Sequence, residues 1–239
     1  METAESGVAG DDSTDRQGFA SALSVPKRLL ILAINYWPLL HLLSIACVLG
    51  INWSAPGLRI ASGLAILFLL PPITARLLLF FSPIHQNRIE IGTRDYFIWW
   101  ALSNLQMIFC RLSFLEEFLR MVPGAYSMWL RLWGARIGRL CYWGAGLRIL
   151  DRSFLLIGDD VVFGAGVRLN SHVIAGGDTS GMELILAPIR VGDRVVVGGY
   201  SLLTAGTEIA PDECTRAFLI SPPFSRWKDG ARIREKDQN

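Results

Sequence analysis

The chain has 239 residues, of which 51% are apolar and only 18% are charged, so a largely disordered protein is excluded. The 23 Lys and Arg nearly balance the 21 Asp and Glu, and no strongly basic surface for nucleic acid is expected. The four cysteines form no CxxC pair, which argues against a disulfide framework and a zinc site and favours reduced thiols.

The N-terminal part of the chain changes from polar to strongly apolar. Residues 1–26 are rich in polar and small residues and predict a disordered tail. Leu29–Gly50 contains no charged residue and, at about 1.5 Å per residue, is long enough to cross a bilayer core as a helix. A second apolar segment, Ile60–Phe81, contains Pro71-Pro72, which should kink or end a helix. Residues 27–87 are therefore predicted to form a transmembrane helical hairpin, and whether the second segment fully spans is open.

Basic residues lie on both flanks of this hairpin, with a single arginine, Arg59, between its two arms. The positive-inside rule then places both ends of the hairpin in the cytoplasm. This predicts a multi-pass protein of the cytoplasmic (inner) membrane whose C-terminal domain is on the cytoplasmic side. A cleaved signal peptide would have a shorter apolar core nearer the start of the chain. Lipoprotein cleavage before Cys47 is a further alternative.

Residues 88–132 are predicted to be a helical linker. Within Asp95–Val122 the apolar residues recur at helical spacing, which indicates an amphipathic helix that ends at Pro123-Gly124. The Trp99-Trp100 pair suits the membrane interface, where indole rings lie at the level of the headgroups. Packing of this helix on the following domain is the alternative, and the two are compatible.

A period of six residues dominates the C-terminal part, where 14 of the 23 glycines fall between Gly134 and Gly206. Apolar residues followed by glycine recur at this period, and the series continues without the glycine at Ile149, Leu169, Leu203 and Ile209. The period slips twice: two extra residues precede Ile157, and residues 175–190 form an insertion. The apolar–glycine pairs are Ile137-Gly138, Trp143-Gly144, Ile157-Gly158, Phe163-Gly164, Val191-Gly192 and Val197-Gly198.

A six-residue period is typical of a short strand followed by a sharp corner. Three such units close one triangular turn, and stacked turns bury the apolar residue of each hexad. The pattern predicts an all-β parallel β-helix over residues 133–225, with about three coils of three hexads. The repeat is expected to end after a partial fourth coil at Pro211-Asp212, with a polar tail over 226–239. A glycine-rich antiparallel barrel would instead need sustained alternation of period two.

These segments resemble the hexapeptide-repeat acyltransferases, a family of left-handed β-helices. The resemblance implies a left-handed coil, a homotrimer, and acetyl-CoA or another acyl-CoA lying along a groove between subunits as co-substrate. It also implies acyl transfer to a hydroxyl or an amine. The helical entry, from Tyr96 to Gly138, is similar to the β-helical segments of membrane-bound polymer-forming synthetases. The resemblance rests on Leu132–Gly138, Ile157–Asp160, Pro188–Asp193, Val197–Gly199 and Ser221–Pro223.

The second coil ends in Asn170-Ser171-His172, directly before the insertion. Imidazole is well matched to proton abstraction near neutral pH, and the family has its general base at this position. The resemblance therefore implies a catalytic role for His172, with Asn170 and Ser171 among the substrate-binding residues. Asp178 and Glu183 in the insertion are further candidates, and either could orient the imidazole, although a solvated loop charge is the alternative.

For the acyl donor, the resemblance points to backbone groups near Gly198, Gly199, Ser201 and Ala205, where small residues allow a ligand to approach closely. Tyr200 stands where the family often has glycine, which would narrow the groove. No metal is expected, since a β-helical carbonic anhydrase would need three histidine ligands.

Taken together, the sequence favours a membrane-anchored acyltransferase, by preference an O-acetyltransferase. Its acceptor would be a saccharide or a lipid-linked small molecule, because an anchor raises the local concentration at the membrane. The alternative is a non-catalytic trimeric β-helix scaffold at the membrane. The acceptor, the acyl chain and a carrier-protein donor stay open.

Overall fold

The computed structural model describes residues 23–51, 55–177 and 181–233. It begins with three apolar helices, α1 (Val25–Asn35), α2 (Trp37–Gly50) and α3 (Pro56–Phe81). The first apolar segment is interrupted at Tyr36, and Pro38 lies in the first turn of α2, where its missing N–H is tolerated. Both apolar segments are long enough to cross a membrane by length and composition. Residues 1–22 of the predicted tail lie outside the described residues.

The proline pair does not end α3, which continues to Phe81. A proline has no N–H, so Pro71 and Pro72 leave the carbonyls of Leu67 and Phe68 without their helical donors. The indole Nε1 of Trp129 donates to the Phe68 carbonyl at 2.8 Å. A side chain of the following domain thus replaces one lost helical bond, which is why the second segment stays helical through its prolines.

The predicted linker is divided into more elements than expected. It contains β1 (Asn87–Glu90), α4 (Arg94–Arg111), α5 (Phe114–Arg120) and α6 (Ala125–Leu132). Helix α4 packs against the three apolar helices on one side and belongs to the same core as the β-helix on the other. Trp99 is only 3% exposed, so the expectation that it lies at the membrane interface is wrong.

Three parallel sheets form the triangular coil. The strands are β2 (Arg136–Ile137), β3 (Tyr142–Trp143), β4 (Arg148–Ile149), β5 (Leu155–Ile157), β6 (Val162–Phe163), β7 (Arg168–Asn170), β8 (His172–Gly177), β9 (Gly181–Leu186), β10 (Ile189–Val191), β11 (Val196–Val197), β12 (Leu202–Thr204), β13 (Glu208–Ile209), β14 (Ile220–Ser221), β15 (Arg226–Lys228) and β16 (Ala231–Ile233). The first sheet contains β2, β5, β10, β13 and β15, the second β3, β6 and β11, and the third β4, β7, β12 and β14.

The apolar residues of the six-residue repeat, which we call the ladder, point into the interior of the triangular coil, which we call the prism, as predicted. Ile137 is in register with Ile157, Ile157 with Val191, and Val191 with Ile209, and all four are buried. A second buried position lies two residues before most ladder residues, as at Val161, Val167 and Val195. The hexad period therefore fixes both the stacking and the direction in which these side chains point.

The coil extends further than the sequence indicates. Cys214 bridges to Val196 and β14 pairs with β12, which completes a fourth coil, and β15 begins a fifth. The coil therefore does not end at Pro211-Asp212, and residues 226–233 of the expected tail contain two strands, while residues 234–239 lie outside the described residues. The upper coils have polar interiors, where the Ser221 hydroxyl lies 2.9 Å from that of Thr207 and accepts the indole N–H of Trp227. A search for apolar residues overlooks such coils.

The insertion is an ordered β-hairpin and not a flexible loop within the described residues. Strands β8 and β9 pair antiparallel, and β9 also pairs with β1, so the three form a separate sheet. The tip, residues 178–180, lies outside the described residues. Because β1 directly precedes α4, the hairpin ties the second coil to the helical region.

Candidate active site

The imidazole of His172 lies against a buried carboxylate. His172 opens β8, and its Nδ1 is 2.6 Å from Oδ2 of Asp151 in the link between the first two coils. The Asp151 side chain is 1% exposed, whereas that of His172 is 21% exposed. With Nδ1 held by the carboxylate, Nε2 is the ring nitrogen left for a substrate. This is the arrangement of a base and its orienting group.

The electrostatics of this pair set the protonation of the His172 imidazole. Burial of the ring lowers its pKa, but the negative charge of Asp151 and its hydrogen bond outweigh burial. The pKa of His172 is therefore raised above the ordinary value. The neutral form that accepts a proton predominates only above this raised pKa.

Trp99 completes the surroundings of the carboxylate. Its indole Nε1 donates to Oδ1 of Asp151 at 3.1 Å, so each carboxylate oxygen has a partner. The Trp99 ring also meets the imidazole edge-on, with 4.9 Å between ring centroids. Because Trp99 belongs to α4, the helical region supplies part of the site that the β-helix carries.

Asp151 is next to a second buried polar cluster, which we call the Arg152 network: Gln106, Glu116, Arg120, Tyr126 and Arg152. Arg152 ion-pairs with Glu116. Oε1 of Gln106 accepts two hydrogen bonds from Arg152, one from the backbone N–H at 2.8 Å and one from Nη1 at 3.0 Å. Arg120 donates to Glu116 at 3.0 Å, and Tyr126 donates to the same carboxylate. The network fastens the loop that carries Asp151 to α4, α5 and α6.

The sequence reasoning missed Asp151, Arg152 and the true place of Trp99. One signal could have found the first two. Eight residues separate Ile149 from Ile157 instead of six, and Asp151-Arg152 fall within this slip. Extra residues at a corner of the coil do not fit the six-residue repeat. Their polar side chains can therefore point toward a neighbouring element.

Among the predicted substrate-binding residues that the structure describes, Ser171 and Glu183 have their polar groups bound to partners other than His172. The Ser171 hydroxyl is buried and donates to the carbonyl of Phe154 at 2.9 Å, while Asn170 is paired in register with Thr204. Glu183 ion-pairs with Arg88 and lies opposite Ala175 in the hairpin, and the carboxylate at Nδ1 of His172 is that of Asp151. Asp178 lies outside the described residues.

The predicted donor-binding residues divide between two corners of the prism. Ala205 follows Thr204 at the corner between the third and first sheets, the corner that also carries His172. Gly198, Gly199 and Tyr200 lie at the corner between the second and third sheets, one strand away. The Ser201 hydroxyl is turned inward and donates to the carbonyl of Gly198 at 2.6 Å.

Tyr200 covers its corner. Its backbone φ is +58°, its side chain is 64% exposed, and its ring stacks on Phe218 with 5.4 Å between centroids. A Cβ at Gly166, in the coil below, would stand 2.6 Å from the Tyr200 ring, so only glycine fits there. Tyr200 therefore places a flat aromatic surface at this corner.

Comparisons with known proteins give a likeness of shape only. No protein-family model and no curated protein sequence matches the chain. A maltose O-acetyltransferase from Clostridium difficile 630 is 18% identical with a TM-score of 0.32, over 51% of this chain and 82% of that one. A galactoside acetyltransferase in complex with coenzyme A is 16% identical with a TM-score of 0.34, over 52% and 78%.

A third solved structure is the hexapeptide-repeat containing acetyltransferase of Vibrio cholerae O1 biovar eltor, complexed with acetyl coenzyme A. It is 13% identical with a TM-score of 0.35, over 55% of this chain and 88% of that one. Likeness at this level does not identify an activity, which has to come from the side chains of this chain.

Proposed function

We propose that this chain is a membrane-anchored acyltransferase, by preference an O-acetyltransferase. It would move the acyl group of acetyl-CoA or another acyl-CoA to a hydroxyl or amine of a saccharide or lipid-linked acceptor. The observation that carries this proposal is the contact between His172 and Asp151, in which a buried carboxylate holds a partly exposed imidazole. A scaffold has no need of this arrangement.

In the proposed reaction, Nε2 of His172 removes the proton of the acceptor O–H as its oxygen attacks the thioester carbonyl. The imidazolium that forms is stabilised by Asp151, as in Ser-His-Asp sites. The tetrahedral intermediate then collapses, the C–S bond breaks, and the leaving thiolate takes the proton from His172. Acyl ester and free thiol are the products, so charge and protons balance.

The proposal includes a homotrimer, because four of the five donor residues, Gly198–Ser201, lie at a different corner of the prism from the base. A neighbouring copy would bring its corner at Gly198–Tyr200 toward His172, and acyl-CoA would lie in the groove between them. Backbone N–H groups at that corner would stabilise the developing oxyanion. This is the arrangement that the family resemblance implies.

The proposal also places the apolar helices in the cytoplasmic membrane, with the β-helix on the cytoplasmic side. Exposed leucines along α2 and α3, among them Leu40, Leu43 and Leu64, support lipid contact. The positions of Lys27 and Arg28 before the hairpin, and of Arg88 and Arg94 after it, support the orientation.

Calorimetry with acetyl-CoA on the detergent-solubilised full chain, followed by acyl transfer to membrane extracts, tests this proposal. For His172→Gln we expect donor binding close to wild type and a rate of transfer lower by about 10²–10⁴, the usual contribution of a general base. Absence of binding to folded protein would count against a CoA enzyme and favour a carrier-bound donor or the scaffold. Unchanged transfer by His172→Gln would remove the base role.

Trp99→Phe tests whether the helical region contributes to catalysis. The phenyl ring keeps the contact with the imidazole but removes the N–H that Asp151 Oδ1 accepts. A hydrogen bond to a charged group contributes about 1.5–3 kcal/mol, so we expect kcat to fall about ten- to a hundredfold. The matched control is Trp100→Phe, whose N–H goes to Asn35 instead. Equal losses in both variants would contradict the role of Trp99.

A further inference from the structure

Helix α5 has its charged side inward and its apolar side outward. Within this helix Glu116 is 2% exposed and the Arg120 side chain 6%, whereas Phe114 and Phe118 are 56% and 57% exposed. A helix on the surface of a water-soluble domain shows the opposite distribution. The inversion calls for an apolar environment on the outer side of α5.

The inward charges are accounted for by the Arg152 network. Glu116 binds both Arg152 and Arg120, and Arg120 also donates to the carbonyl of Leu147 in the first coil at 3.0 Å. These bonds fix the rotation of α5 about its own axis. The phenylalanines cannot turn inward without breaking buried ion pairs.

The outward side forms a continuous stripe. Phe114 and Phe118 lie on α5, Met121 and Val122 follow its last residue at the same spacing, and each of the four is more than half exposed. We call these four residues the α5 stripe. The rings of Phe114 and Phe118 meet edge to face, with 6.4 Å between their centroids. The cation Arg111 lies just before the stripe and is exposed.

The apolar surface continues from the stripe toward the hairpin. Helix α6 follows α5 directly and exposes Met128. Two hydrogen bonds join α6 to α3. The indole N–H of Trp129 in α6 donates to the Phe68 carbonyl of α3, and Nη1 of Arg76 in α3 donates to the Arg131 carbonyl of α6 at 2.9 Å. Helix α3 in turn exposes apolar side chains along its second half, Leu69, Leu70, Ile73, Leu77, Phe80 and Phe81.

We propose that the α5 stripe lies in the boundary between headgroups and acyl chains of the bilayer that holds the hairpin. This inference rests on the membrane anchoring proposed above. Continuity with the apolar surface of α3 favours lipid over a second copy of the chain as the occupant. Arg76 and Arg111 are exposed beside this surface and suit anionic headgroups. In this arrangement the helical region that precedes the β-helix rests on the membrane, and the loop that carries Asp151 lies directly above this region.

Fluorescence quenching by nitroxide-labelled lipid tests this contact in the full chain. The protein is placed in nanodiscs of phosphatidylcholine and phosphatidylglycerol, with the exposed Cys47 and Cys214 replaced by serine. A single environment-sensitive label is attached through Phe118→Cys. Leu64→Cys on α3 reports the hairpin, and Ile220→Cys, an exposed apolar position on the third sheet, is the matched control.

We expect the label at position 118 to lose at least about twofold more fluorescence to lipid nitroxide than the label at 220. Quenching at 64 but not at 118 would overturn this inference and leave the anchor in place. Quenching at neither position would reject the anchor as well. A label at 118 that is shielded from aqueous iodide but untouched by lipid nitroxide would identify a second copy as the occupant. Near-UV circular dichroism checks that each variant is folded.

Discussion

Replacing Asp151 by asparagine is expected to reduce kcat by about 10⁴, as loss of the orienting carboxylate does in Ser-His-Asp sites. An amide cannot neutralise the imidazolium that forms when His172 takes a proton, and its NH2 group can stabilise the wrong tautomer. The Trp99 N–H would lose its charged acceptor at the same time. Steady-state kinetics with the acceptor found in the membrane-extract screen measure this loss.

The same variant should move the pH profile in a defined direction. Asp151 is what raises the pKa of His172, so in Asp151→Asn this pKa falls, and the acid limb of kcat/KM shifts to lower pH. The raised pKa also means that the pair stabilises the fold below the ordinary histidine pKa. That contribution is lost as the pH rises through the raised value. Nitrogen NMR of the three histidines measures the pKa without any substrate.

A second carboxylate–histidine contact supplies the control. Asp95 Oδ2 lies 2.9 Å from Nδ1 of His85, whose side chain is 90% exposed. Asp95→Asn should leave both kcat and the pKa of His172 at their wild-type values. A wild-type rate in Asp151→Asn, or an unchanged pKa of His172, would show that the contact does not orient a base.

Glu116→Gln is expected to destabilise the fold by about 3–5 kcal/mol. It leaves the guanidinium of Arg152, which is 1% exposed, in a buried place without its negative partner. At roughly 2–4 °C per kcal/mol for a chain of this size, the melting temperature in detergent should fall by about 6–20 °C. Thermal unfolding followed by near-UV circular dichroism measures this change.

The neighbouring glutamate is the matched control. Glu117 also binds Arg120, but its side chain is 40% exposed, and without it Arg120 keeps its ion pair with Glu116. Glu117→Gln should therefore lower the stability by no more than about 1 kcal/mol. Similar losses in both variants would mean that burial of the Arg152 network is not what makes Glu116 important.

The fold was predictable where packing repeats along the sequence. The ladder from Ile137 to Leu203 marks one inward position on each strand of the first three coils, because each coil meets the same steric demand. The coils beyond Pro211 could not be found in this way, since Ser221 and Thr207 satisfy each other by hydrogen bonding inside the prism. The six-residue period identifies coils with apolar interiors and does not detect coils with polar interiors.

The candidate site was predictable only in its histidine. His172 stands out as the last residue before a break in the period. Its partner Asp151 lies 21 residues earlier, and Trp99 is 52 residues before Asp151. Such distant partners depend on how α4 docks on the coils, which local spacing does not encode. Glu183 was nearer in sequence, but the register of the hairpin directs it to Arg88.

The last strand that the structure describes, β16, has a consequence for how molecules can associate. A stack of parallel strands has no natural length, because its final strand offers free N–H and C=O groups to any further strand. Here β16 turns back and pairs antiparallel with β15, while α6 leads into β2 at the opposite end. A second copy therefore meets a reversed strand where a sixth coil would begin. A further parallel coil would have to displace this reversed strand from the first sheet.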